Sequence, residues 1–179
     1  MIEKYALYKA FAALRNSLEK ESVRSLAKRA KVGVATAKTA LDYMFSKKLL
    51  KRDIIGKMHQ YTFNLENPLA RQLKIAASLA EINESGLLDE IPEYPVLSAI
   101  LYGSVARGDD NAKSDIDILI IMRKKTTFKL RAESKLSREL TILAYTLPEW
   151  KEKAKTDKPF YDRVISEGIA LYGEKPMVI

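Results

Sequence analysis

No cysteine occurs among the 179 residues and there is a single histidine, His59. These absences exclude a disulfide scaffold, a thiolate zinc site and a histidine cluster, so a bound metal has to be held by oxygen. No apolar run approaches the roughly 20 residues that span a bilayer. The opening MIEKYALYKA carries charge within its first four residues, unlike a secretory leader. A soluble, cytoplasmic protein with no membrane partner is the expectation. Glycine is also sparse, with seven in all. A stretch that gathers glycines, a serine, an arginine and carboxylates, YGSVARGDDNAKSDID at 102–117, therefore stands out.

The formal net charge of +8 is unevenly distributed. Residues 1–74 carry 16 Lys and Arg against 6 Asp and Glu, and residues 75–179 carry 15 against 17. The basic first half suits a polyanionic partner such as DNA or RNA, although a merely soluble surface has the same composition.

Ala6, Leu7, Ala10, Phe11 and Leu14 recur at helical spacing and predict an amphipathic helix from Ile2 to about Asn16. SVRSLAKRAK predicts a short second helix capped by Ser22. A turn at Gly33 leads into a third helix over Val34–Ser46, with Val34, Ala37, Leu41 and Met44 on its apolar stripe and Thr36, Lys38 and Thr39 outward. Ile54 and Ile55, then Gly56-Lys57, then Tyr61-Thr62-Phe63 predict a hairpin with a basic tip. Residues 68–88 predict a connecting helix ended by Gly86, and the acidic, proline-containing ESGLLDEIPEYP predicts a hinge.

Val96–Gly103 is an apolar run of strand length ending in glycine, and SVARGDD can begin a helix. A strand that delivers Gly103 and Ser104 to a helix N-terminus presents backbone N–H groups, a positive dipole end and a hydroxyl, a set suited to phosphate. Arg107 follows one helical turn later and can add a charged fork. In the strand predicted over Ser114–Ile121, Asp115 and Asp117 share one face while Ile116 and Ile118 turn to the core. Two carboxylates so placed repel each other. A magnesium ion relieves the repulsion, because it takes hard oxygen ligands and shares them with substrate phosphates. The bland alternative is a turn followed by a charged edge strand.

KLRAESKLSREL predicts an intervening helix and LTILAYTLPEW a strand running into a turn. Phe160, Val164, Ile165, Ile169 and Leu171 predict the apolar face of a last helix capped by Gly173. Trp150, Phe160 and Tyr161 read as core or lid residues more readily than as a base-stacking platform.

Two resemblances follow from these residues. Three helices and a short hairpin over roughly 3–66 resemble a winged helix-turn-helix domain. That likeness implies DNA binding with the third helix in the major groove, through Thr36, Lys38 and Thr39, and a phosphate contact from Lys57 on the wing. A face used for dimerisation is the alternative. The pair Gly103-Ser104, the run Ala106-Arg107-Gly108 and the strand Ser114–Ile120 resemble the polymerase-beta-type nucleotidyltransferase superfamily.

The second likeness implies transfer of a nucleoside monophosphate from a nucleoside triphosphate to a hydroxyl. It gives Asp115 and Asp117 a catalytic, magnesium-binding role, and Gly103, Ser104 and Arg107 a nucleotide-binding one. It also implies a third carboxylate on the next strand, at the position of Thr141, which cannot supply the charge. Glu139 lies two residues earlier, about 7 Å along a strand.

The expected architecture is α+β: a winged helix-turn-helix DNA-binding domain over 1–67, a connecting helix and linker over 68–95, and a nucleotidyltransferase-like domain with a mixed sheet flanked by helices over 96–179. The functions it implies are a magnesium-dependent transferase, a regulator that binds nucleotide without turnover, or an antitoxin with a protein acceptor. A homodimer is expected because winged helices pair on twofold operators.

Overall fold

The computed structural model describes residues 5–15, 17 and 20–178. The chain divides into two compact units, residues 1–74 and 75–179.

In the first unit, α1 (Ala6–Arg15) is the first predicted helix. The expected beginning at Ile2 and end at Asn16 lie outside the described residues. A two-residue strand β1 (Glu21–Ser22) precedes α2 (Val23–Ala30). Ser22 caps α2 as its sequence predicts, its Oγ accepting a hydrogen bond from the Ser25 backbone N–H at 3.1 Å. Glu21 is buried and accepts from both Ser25 and Arg29.

α3 (Val34–Ser46) follows Gly33 and buries Ala37, Ala40, Leu41 and Met44, one stripe at 3.6-residue spacing. Val34, expected on that stripe, is exposed, because it stands in the helix's first turn. β2 (Leu50–Ile55) and β3 (Met58–Phe63) form a hairpin whose Ile55–Met58 pair closes over Gly56-Lys57, with Gly56 at φ 62°. The antiparallel sheet runs β1-β3-β2. Its core gathers Leu14, Leu26, Leu41, Leu50 and Tyr61.

α4 (Pro68–Ser85) ends at Gly86, as expected, and Gly86 takes φ 85°. The expected hinge is instead a packed segment: α5 (Leu87–Glu90) runs into a short 3-10 turn, Ile91–Glu93, and Leu87 and Ile91 are fully buried in the core of the second unit. Its acids are the exposed positions of an otherwise apolar packing pattern, apart from Glu90, which is buried and accepts from the Arg131 N–H at 2.7 Å.

The second unit is a mixed α+β structure. β4 (Val96–Tyr102) passes directly into α6 (Gly103–Arg107), and a loop leads to β5 (Ile116–Met122). After β6 (Leu140–Thr146) come α7 (Leu147–Thr156), α8 (Lys158–Glu167) and β7 (Ile169–Tyr172). The strands lie in the order β6-β5-β4-β7, with β5 and β6 parallel and the other pairs antiparallel.

β5 is buried on both faces. Ile116, Ile118, Ile120 and Met122 join one core with Leu87 and Leu101, while Leu119 and Ile121 join Ile100, Trp150 and Val164 in the other. Trp150 is fully buried, with its indole N–H donating to the Pro176 carbonyl at 2.7 Å, and Tyr161 packs beside it. Their reading as core residues holds.

Two predicted elements differ. The helix expected over 129–140 is a 3-10 turn, Arg131–Lys135. Carboxylates from elsewhere accept from N–H groups at its two ends, Glu90 at Arg131 and Glu81 at Ser137, and the second takes an N–H that a longer helix would pair internally. The last helix stops at Glu167, and Ile169 and Leu171 lie on a strand. Gly168 leaves the helix in extended backbone, at φ −64° and ψ 153°, in a place where a Cβ would collide with the Val164 carbonyl and approach Ile100 Cγ2 at 2.6 Å. Gly173, at φ 64°, ends a strand and does not cap a helix.

Candidate active site

The site is built where β4 turns into α6. Gly103 takes φ 74°, a left-handed conformation that costs other residues roughly 1–2 kcal/mol. A Cβ at Gly103 would also strike the Asp117 carboxylate, whose Cγ lies 3.2 Å from that position. Glycine is therefore required twice, for backbone conformation and to let the carboxylate lie against the start of α6. Among the described residues no side chain caps that helix.

Asp117 is the second residue of β5, opposite Tyr102 on β4 and beside Thr141 on β6. Asp115 stands one residue ahead of the strand and is exposed, while Asp117 is half-buried. Alternation puts Asp117 on the face of Leu119 and Ile121, while Asp115, outside the strand, is near enough for its charge to act on Asp117. Burial raises the Asp117 pKa, the Asp115 charge raises it further and Arg107 opposes the shift. Tyr102 is pushed up to about 12 by burial and by Asp117, so its phenol stays protonated.

Arg107 does not hang free. Its guanidinium donates to both Asp109 oxygens at 3.0 and 3.3 Å and lies 3.6 Å from Glu167 of α8. The hydrogen bonds to Asp109 chiefly hold its pKa up. Gly103 and Arg107 line one wall of a cavity of about 210 Å³; Tyr102, with Phe160, Arg163 and Glu167 of α8, lines the rest. Sequence reasoning missed Arg163 and Glu167, since an exposed i, i+4 pair carries no signal until the fold turns it toward Gly103.

Thr141 is the register neighbour of Asp117, as alignment of the two strands suggests. The Glu139 carbonyl accepts from the Ile116 N–H at 2.8 Å. No group of three or more carboxylate or histidine side chains able to share a metal ion occurs among the described residues, so Glu139 does not complete the Asp115–Asp117 pair. Two carboxylates near enough to repel each other, backed by an uncapped helix start, nevertheless fit a magnesium ion in donor chemistry, because that ion commonly takes one or two protein carboxylates and completes its shell with phosphates and water.

Sequence reasoning also missed the anchor of the loop between α6 and β5. Asp110 and Arg138 form an ion pair at 2.6 Å with both side chains almost fully buried. Arg138 donates in addition to Ser78 at 3.2 Å. No spacing rule links residues so far apart in the chain.

In the first unit, Thr36, Lys38, Thr39 and Lys57 are all exposed. Thr36 and Thr39 share a helical face with Tyr43, which is 50% exposed. Lys38 lies on another side of α3, paired at 2.8 Å with Asp42, whose pKa that hydrogen bond lowers. Lys57 occupies the hairpin turn, but the residues around it are apolar and exposed, Ile54, Ile55 and Met58, so the expected basic tip is mostly hydrophobic.

Residues 88–177 match the sequence model of a family described as Polymerase beta, Nucleotidyltransferase. The chain belongs to that family. The mixed sheet and its flanking helices are consistent with a nucleotidyltransferase fold, and membership implies a nucleoside triphosphate substrate in general. No curated protein and no solved structure gives a significant match. Among the described residues no helix is long and apolar enough to cross a membrane.

Proposed function

We propose that the chain is a magnesium-dependent nucleotidyltransferase whose first unit is a winged helix-turn-helix that binds DNA. The observation that carries the transferase reading is the contact between Gly103 and the Asp117 carboxylate, which brings a metal-ligand candidate against the start of α6. Asp115 and Asp117 would hold the magnesium ion, which when bound supplies charge stabilisation to the attacking and leaving oxygens.

Gly103 and Ser104 present backbone N–H groups and a hydroxyl to the triphosphate, and Arg107 turns from Asp109 to add its fork. In the transfer, an acceptor oxygen bonds to the α-phosphorus, the bond from that phosphorus to the bridging oxygen breaks, and pyrophosphate leaves. The hydroxyl proton departs to solvent, since Thr141 stands where a proton-accepting carboxylate is expected.

A transfer assay tests the reading: α-labelled ATP and magnesium, with DNA, RNA and protein acceptors, beside the Asp115→Ala, Asp117→Ala chain. Label moved by the wild type and not by the control supports it. The Asp117–Thr141 register favours a second reading, a regulator or antitoxin that binds nucleotide without turnover; nucleotide bound with no label transferred selects it.

For the DNA proposal, Thr36, Thr39 and Lys57 are the contacts, with Lys38 released from Asp42 on binding, and a twofold operator would seat a homodimer. Replacing Lys57 with alanine should lower the salt dependence of DNA affinity by about one phosphate contact. An unchanged salt slope removes Lys57 from the interface.

A further inference from the structure

The cavity beside Gly103 has a wall the proposed chemistry does not use. Tyr102 and Phe160 meet edge to face at 5.6 Å between ring centroids, and Val164 closes the apolar side. Arg163 and Glu167, one turn apart on α8, supply the polar side. Glu167 is engaged with Arg107, whereas Arg163 is exposed and makes no ion pair among the described residues.

The volume decides what fits. About 210 Å³ is less than the roughly 300–1,000 Å³ of pockets that enclose a whole drug-sized ligand. A single planar ring system fits that volume. The wall made by Tyr102, Phe160 and Val164 is a poor seat for phosphates, while Gly103 and Arg107, the phosphate-binding candidates, belong to the same lining.

Resting on the nucleotidyltransferase reading above, we propose that this cavity seats the base of the nucleoside triphosphate against Tyr102, Phe160 and Val164, with Arg163 and Glu167 reading its polar edge. Aromatic side chains accept any base through its π-face, and an arginine can stack on the ring or donate to its acceptors. Helix α8 is thus a specificity element, and Arg163 and Phe160 are binding residues for the base and not for the phosphates.

Calorimetric titrations with ATP and with inorganic tripolyphosphate, each with magnesium, separate the two parts. Arg163→Ala and Phe160→Leu should each weaken ATP by about tenfold and leave tripolyphosphate within twofold of wild type. Arg163 is exposed, so its variant keeps the fold even if Phe160→Leu loosens the aromatic cluster; melting curves check both. If ATP binds both variants as it binds the wild type, or if the two ligands weaken in step, the inference fails and the nucleotidyltransferase reading stands. If the wild type binds neither ligand, that reading fails and takes the inference with it.

Discussion

Asp110 and Asp117 bracket the entry to β5, and the protein treats them in opposite ways. Asp110 is sealed in the interior with Arg138 at 2.6 Å. Asp117 is half-buried and feels a like charge in Asp115, which Arg107 opposes. The first arrangement neutralises a carboxylate inside the protein; the second leaves one poorly neutralised at the surface. Stability explains Asp110. It does not explain Asp117, whose charged form is disfavoured by burial and by Asp115, and residues of that kind cluster at functional sites.

The largest break in this comparison comes from Asp110. Removing one member of a buried pair costs up to about 3–5 kcal/mol; Arg138→Met, which also loses the Ser78 and Glu81 contacts, should approach that, and Asp110→Ala, which leaves Arg138 with Glu81 at 3.6 Å, should cost less, both read by urea denaturation. The double variant Asp110→Leu, Arg138→Met should recover much of that loss. A loss below about 1 kcal/mol in either single variant would make the pair as expendable as a surface salt bridge.

Next comes Gly103→Ala, with a cost of about 1–2 kcal/mol from the left-handed backbone alone. The displaced Asp117 carboxylate should also cost Mn²⁺ binding, followed by its paramagnetic resonance signal. Retained Mn²⁺ affinity would show that the contact between Gly103 and Asp117 is not what shapes the site.

Thr141→Asp sharpens the comparison by adding a carboxylate beside Asp117 on β6. Like charges across a strand pair should lower stability by about 0.2–1 kcal/mol, and added Mg²⁺ should reverse the loss. A melting temperature insensitive to Mg²⁺ would argue against a cation at this position.

The smallest effect belongs to Asp117→Asn. Burial and Asp115 raise the Asp117 pKa in the folded state, so the fold binds its proton more tightly than the unfolded chain does. That contribution is fully present below the unfolded value, about 3.9, and is lost as pH rises through the raised folded value. The asparagine variant should therefore melt slightly above wild type at pH 7 and equal it near pH 3. A variant less stable than wild type at pH 7 would reverse the assignment.

What could be read in the sequence has a physical pattern. α2, α3 and the hairpin turn are set by local rules: Ser22 as a cap, an apolar stripe at helical spacing, and Gly56 where the chain reverses. The face of Asp117 likewise follows from strand alternation, which does not reach Asp115, one residue ahead of β5. β7 is hidden because Ile169 continues the helical spacing of Val164 and Ile165, and its pairing with β4, which makes it a strand, is remote in sequence. The turn at Arg131–Lys135 and the Asp110–Arg138 pair depend on Glu81, Glu90 and Ser78, partners remote in sequence. Local pattern predicts elements whose partners are local, and fails where a distant carboxylate takes over the backbone.

The most direct test is a Mn²⁺ titration in the presence of a nucleoside triphosphate, followed by electron paramagnetic resonance, on the wild-type chain and on Asp115→Asn, Asp117→Asn. The wild type should bind the ion together with the nucleotide, and the double variant should lose at least tenfold in Mn²⁺ affinity while melting no lower than the wild type. Equal Mn²⁺ affinity in the two chains would contradict the assignment of these aspartates to a metal-nucleotide site.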